Sequence, residues 1–189
     1  MLSHCWKEDR GIIFIMDSHR IWGLVCCAFL LAGLMGNAGS VPNVNISAPA
    51  FEPGNPMPAK SAYKKQNISP ELRIGNIPTS AKSLVLIVDD NDAPMGLWTH
   101  WLVWNLPANT TVIPEGKLPL GAIQGKNSFG NTRYDGPAPP SGTHRYFFHL
   151  YALDTTLSLP SGADSKALLA AMEGHVVGTG ETFGVYSAH

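Results

Sequence analysis

Two polar clusters in this chain combine residue types that can do chemistry. The first is Asp89, Asp90 and Asp92 with His100 shortly after; the second is the run Gly136-Pro137-Ala138-Pro139-Pro140-Ser141-Gly142-Thr143-His144-Arg145-Tyr146. On an extended segment His144 and Tyr146, two positions apart, project from one face and can look into one cavity, while Arg145 turns the other way. Its planar fork then suits a carboxylate of the acidic loop or loop carbonyls. His and Asp together also suit a metal ion, but no tight spacing such as H-x-x-x-H supports a zinc site. A hydrolase would need a nucleophile, for which Ser141 is a weak candidate. No P-loop, dinucleotide fingerprint, HExxH or G-x-S-x-G occurs. Taken alone, His100 beside Trp101 reads more readily as a satisfied core histidine than as a ligand contact.

The elements that must position these groups read as strands. Leu84 to Val88 (LVLIV) has the pattern of a strand buried on both faces, and Asp89 to Pro94 then imposes a turn through Asx hydrogen bonding and the fixed φ of proline. His100 to Asn105 is the next strand, stopping at Leu106-Pro107, and Gly116 to Arg133 is a long loop. Arg145 to Leu153 is an aromatic strand with Tyr146, Phe148 and Leu150 on one face and Phe147, His149 and Tyr151 on the other. Pro139-Pro140 stiffens the approach to it and is a place where a cis bond is cheap. Trp98, Trp101 and Trp104 recur at a helical interval, but their neighbours favour a strand, so they are read as core and cavity rim. His149 is read as packing. A helix is expected over Ser165 to Glu173, capped by Asp164, with Leu168, Leu169 and Met172 as its apolar stripe and Gly174 ending it; His175 is its C-terminal cation. Val176 to Tyr186 is a final Gly-interrupted strand. Val41 to Pro58 reads as an extended entry segment with an edge strand at Asn45–Phe51, and the sequon Asn67-Ile68-Ser69 as a turn before Pro70. Strands between Pro/Gly turns with one late helix make an antiparallel β-sandwich the simplest architecture.

Composition bounds what such a domain can do. The chain has 189 residues, 44% hydrophobic, with 13 Lys+Arg against 14 Asp+Glu. Without a basic block it is not expected to bind nucleic acid by phosphate neutralisation. Its 19 Gly and 15 Pro disfavour a helical bundle. Residues 1–40 read as a leader: Ile21 to Met35 is an uncharged apolar run, shorter than a bilayer span and followed by small residues. Translation is expected to start at Met16, with cleavage after Ala38 or Ser40; an uncleaved anchor is the alternative. All three cysteines, Cys5, Cys26 and Cys27, lie in that leader, so the processed chain, residues 41–189, would be a single exported domain held without disulfides and without a membrane span.

The run VDDNDAP…HWLVWNLP…GPAPPSGTHRYFFHLYALD, with Asn67-Ile68-Ser69-Pro70-Glu71-Leu72 upstream and Ala171-Met172-Glu173-Gly174-His175 near the end, resembles the phosphatidylethanolamine-binding protein family, and within it the bacterial Raf-kinase-inhibitor-like branch. The resemblance covers roughly Phe51 to Tyr186. It implies a mainly β fold of two sheets with one or two short helices near the C-terminus, and a solvent-open pocket that binds phospholipid head groups or other small anionic or phosphorylated ligands without catalysis and without a cofactor or metal. Ligand-binding residues would be Asp90, Asp92, His100, Pro139, His144 and Tyr146, supported by Arg145 and Pro94. Asn91 stands where the family usually has proline, which leaves the aim of Asp90 less constrained. A protein-interaction module acting on a kinase or protease is the alternative function, a hydrolase a more distant one, and a homodimer is expected from relatives. In such a pocket the two imidazoles and the phenol serve as donors to an anion. Asp90 must be paired or protonated when the anion binds, so affinity should fall as pH rises through the histidine pKa values.

Overall fold

The computed structural model of the protein describes residues 41–188; the expected leader, its start and cleavage sites, the cysteines and His189 lie outside the described residues. Among the described residues eight strands form two antiparallel sheets. One is three-stranded, in the order β1 (Asn45–Ser47), β2 (Leu72–Gly75), β5 (Val112–Ile113). The other is five-stranded, in the order β6 (Ile123–Gln124), β4 (Trp98–Pro107), β3 (Ser83–Asp90), β7 (Thr143–Leu153), β8 (Val176–Ser187).

Alternation along β3 explains why every residue in it is buried. Leu84, Leu86 and Val88 face the three-stranded sheet and share a core with Ile46, Leu72 and Ile74. Val85 and Ile87 face the opposite way, into a second core closed by Trp104, Leu157 and the helix α1 (Ser165–Met172). A continuous β-branched and Leu run is what a strand with two dry faces requires. On β7 the inward set Tyr146, Phe148 and Leu150 is fully buried, as the period of two predicts. Asp164 caps α1 by accepting the Ala167 N–H at 2.8 Å, and Gly174 follows at φ 78°, a conformation glycine adopts without Cβ strain. Among the described residues no helix is long and apolar enough to cross a membrane.

Several expectations are corrected. The acidic turn starts after Asp90, because Asp89 and Asp90 both remain in β3, paired with Phe147 and Tyr146 of β7. The entry strand is confined to Asn45–Ser47, and the long loop carries the short strand β6. Leu169 leaves the helix stripe and is half exposed, whereas Leu168 and Met172 are buried. His149 does more than pack: its Nε2 lies 3.3 Å from Asp89 and its Nδ1 2.9 Å from Glu181. His175 donates its backbone N–H to the Met172 carbonyl and places its ring against Asp154. No peptide bond among the described residues is cis, so Pro139-Pro140 stiffens the loop in the trans form.

Candidate functional site

A pocket of about 340 Å³ opens where the ends of β3 and β4 meet the Pro/Gly loop before β7. Pro94, Met95, Trp98, Phe129 and Pro140 supply an apolar wall, and Asp90 and His100 are the ionisable side chains that line it.

Asp90 is the last residue of β3 and is buried. One carboxylate oxygen lies 2.7 Å from His144 Nδ1, and the other accepts the backbone N–H of Asp92 at 2.8 Å. That second bond is an Asx-type closure. It sets the carboxylate's direction without the proline that Asn91 replaces. Asp92 itself does not line the pocket. Both its oxygens are taken by Arg145, at 2.8 Å from Nε and 2.6 Å from the terminal nitrogen, and the Arg145 backbone N–H adds a third bond at 2.9 Å. The guanidinium beside it holds the Asp92 carboxyl down to about 2. Arg145 therefore clasps the acidic loop to the start of β7, as the strand parity predicts.

His100 is buried with Nδ1 at 2.7 Å from the carbonyl oxygen of Asp135. A carbonyl can only accept, so Nδ1 carries the proton and Nε2 of the neutral ring is left as an acceptor. Burial lowers the His100 pKa, outweighing the opposite pull of the Asp135 carbonyl and of Asp90. The ring stands edge-on to Tyr146 at 5.1 Å and to Phe129 at 5.4 Å. The Tyr146 hydroxyl is buried beside Asp90 and the Ala138 backbone, and burial together with the Asp90 charge raises its pKa.

The residues that hold His100 in place were not legible as site residues. Asp135 is fully buried, and its carboxylate accepts from Asn67, Asn127, Asn131 and Arg133 at 2.8–3.0 Å. Burial pushes this carboxyl up, but the donors from Asn131, Asn127 and Asn67 and the charge of Arg133 outweigh it, and its pKa falls. Asn67, in the left-handed region at φ 56°, also accepts the Gly136 N–H at 2.8 Å. The sequon asparagine thus spends both ends of its amide on the pocket loop. Gly136 lies against Ser61 so closely that a Cβ would stand 1.7 Å from the Ser61 carbonyl oxygen, which only glycine permits. The sole sequence signal for this cage is the spacing of Asn127, Asn131 and Asp135 at intervals of four, which in an irregular loop has no fixed meaning.

Of the residues expected at the site, Asp90, His100 and Pro94 line the pocket. His144 and Tyr146 are buried beside Asp90 and His100 respectively. Asp92 and Arg145 form the outer clasp. Pro139 faces a neighbouring, smaller cavity of about 150 Å³. Trp101 and Trp104 are core and Trp98 is rim. Among the described residues no three His, Cys, Asp or Glu side chains converge as a metal would need.

Comparison with known proteins agrees with this architecture. The chain is 47% identical over 148 residues to a UPF0098 protein of Methanothermobacter thermautotrophicus, covering 76% of this chain and 98% of that one. It is 44% identical over 185 residues to a UPF0098 protein of Pyrococcus horikoshii, covering 93% and 92% of the two chains. The crystal structure of a phosphatidylethanolamine-binding protein homologue, CT736, from Chlamydia trachomatis superposes with a TM-score of 0.74 at 41% identity, covering 78% of this chain and 99% of that one. YbcL of E. coli, described as a member of the mammalian family, superposes with a TM-score of 0.72 at 31% identity over 78% and 99% of the chains. The sequence model of the phosphatidylethanolamine-binding proteins matches residues 47–187, and the chain belongs to that family.

Proposed function

We propose that the protein binds small anionic or phosphorylated ligands, phospholipid head groups among them, in the pocket at the end of β3, and that it does so without catalysis. The observation that carries this reading is the buried Asp90–His144 pair at 2.7 Å beside His100 and the buried Tyr146 hydroxyl. With its carboxylate already committed to His144 and to the Asp92 N–H, Asp90 presents less free negative charge to an incoming anion. Protonation of an imidazole turns its Nε2 into a donor and brings the positive charge an anion needs. His100, Asp90 and His144 are themselves buried, and hydrogen bonds are stronger in such a low-dielectric setting. Catalysis has no support from the one weak nucleophile: Ser141 is exposed and makes no hydrogen bond to either histidine among the described residues.

The test is an NMR titration of the purified protein with inorganic phosphate and with phosphoethanolamine at mildly acidic pH, following both imidazoles. Shifts of the His100 and His144 rings, absent from the His144→Ala variant, are the expected outcome. Silent rings at millimolar ligand would overturn the reading and move a protein partner to first place.

A further inference from the structure

The pocket read above as an anion site is lined, among the described residues, by no Lys or Arg. The nearby Arg145 is spent, since both carboxylate oxygens of Asp92 engage it. The positive charge stands next door. Ala138 belongs to the wall of this pocket and also to the wall of the smaller cavity, which Lys64, Lys65, Pro139 and Tyr186 line as well. Lys64 and Lys65 are exposed and stand in no ion pair among the described residues, whereas neighbouring Lys60 is paired with Glu115 at 2.6 Å.

The two cavities are held as one unit. Tyr63 donates its backbone N–H to the Pro137 carbonyl at 3.0 Å and stacks on Phe129 at 4.6 Å, with the rings 18° from parallel. Phe129 is part of the first pocket's wall. The lysine pair therefore follows directly on the residue that ties the Pro137–Pro140 ridge to the pocket. A ligand that seats one anionic group against His100 and crosses the ridge at Ala138 enters the cavity that Lys64 and Lys65 line.

We infer that the second cavity is a subsite for a second acidic group, so that the ligand class is a phosphomonoester bearing a further phosphate or carboxylate beyond the ridge. This rests on the anion reading of the first pocket. It adds a requirement that reading does not contain, namely two anionic groups in one molecule. Linking them makes the second contact intramolecular, so even weak exposed ion pairs add affinity.

The experiment is isothermal titration of the full chain with inorganic phosphate and with a series of alkanediol monophosphates and bisphosphates of increasing length, repeated on a Lys64→Gln/Lys65→Gln variant. At one chain length the bisphosphate should bind tighter than its monophosphate by about fivefold, the size expected of two exposed ion pairs. That preference should vanish in the double variant and shrink in high salt, while affinity for inorganic phosphate stays unchanged. Phosphate binding with no preference for any bisphosphate would overturn the subsite alone. So would equal losses for mono- and bisphosphate in the variant. Failure of both ligand series to bind would overturn the subsite together with the reading beneath it.

Discussion

The Asp90 carboxylate and the His144 imidazole meet at 2.7 Å with both side chains nearly shut off from water. Removing one partner of such a pair leaves the other buried and uncompensated, which costs more than the pair itself contributes. The His144→Ala variant should therefore lose about 3 kcal/mol of unfolding free energy, read by urea denaturation at neutral pH. Asp90→Asn, which keeps an acceptor for His144 Nδ1, should lose less. If the two variants prove equally stable, the buried carboxylate carries no uncompensated charge.

Ligand affinity should be proton-linked. Burial holds the His100 pKa down, so the free ring is neutral near pH 7 and its Nε2 accepts where an anion needs a donor. An incoming anion raises the imidazole pKa by opposite charge, and the complex takes up a proton. Affinity for sulfate, a stand-in anion that does not itself titrate in this range, is then expected to weaken from pH 6 to pH 8, by at most about tenfold per pH unit for each proton taken up. Calorimetric titrations with sulfate in buffers of different ionisation enthalpy count that proton, and a count of zero would rule out histidinium as the donor.

Stability should respond to pH through a different histidine. The hydrogen bond to Asp89 is the largest of the influences that raise the His149 pKa, with Glu181 adding to it against the opposing effect of burial. A base whose folded pKa exceeds its unfolded value of about 6.5 contributes stability that is complete below that value and is lost as pH rises through the folded pKa. Thermal scans from pH 6 to pH 9 should show the melting temperature falling in the wild type and falling less in His149→Gln. Parallel curves for the two proteins would remove His149 as the cause.

Gly136 offers a test of the loop rather than of its charges. A Cβ there would collide with the Ser61 carbonyl, and the Gly136 backbone cannot move away without straining the Asn67 bond to its N–H. Gly136→Ala is expected to cost about 3 kcal/mol and to move the His100 ring signals even without ligand, because Asp135 is the adjacent residue. Gly142→Ala, where the open space around the Cβ leaves only the strain of φ 66°, should leave those signals in place.

The parts of this molecule that were legible in the sequence are those governed by short-range rules. Leu84 to Val88 announces a strand with two dry faces because nothing polar interrupts it. The parity of His144, Arg145 and Tyr146 follows from the pleat, and it correctly sends Arg145 outward to Asp92. Asp164 is visible as a cap because the chemistry is local. What escaped was long-range. The bond from Asn67 to Asp135 spans 68 positions, and no local pattern marks either residue as part of one cage. From the sequence Asp89 reads as turn, because an acidic residue in a buried strand needs a partner and that partner, His149, sits on another strand. The state of His100 was equally hidden, since the group that fixes it is a main-chain carbonyl.

That last contact bears on how the site can change over evolutionary time. A carbonyl oxygen is present whatever amino acid occupies position 135, so no single base change there can delete the acceptor that orients the His100 proton. Replacement of Asp135 would slacken the loop yet preserve the identity of the group facing the ring. The ring's chemistry is thereby insulated from drift in side-chain type and exposed instead to changes in chain path, such as insertions or deletions between Asn127 and Gly136. Homologues that have lost this pocket should then differ first in the length of that loop, with the histidine still present as a relic.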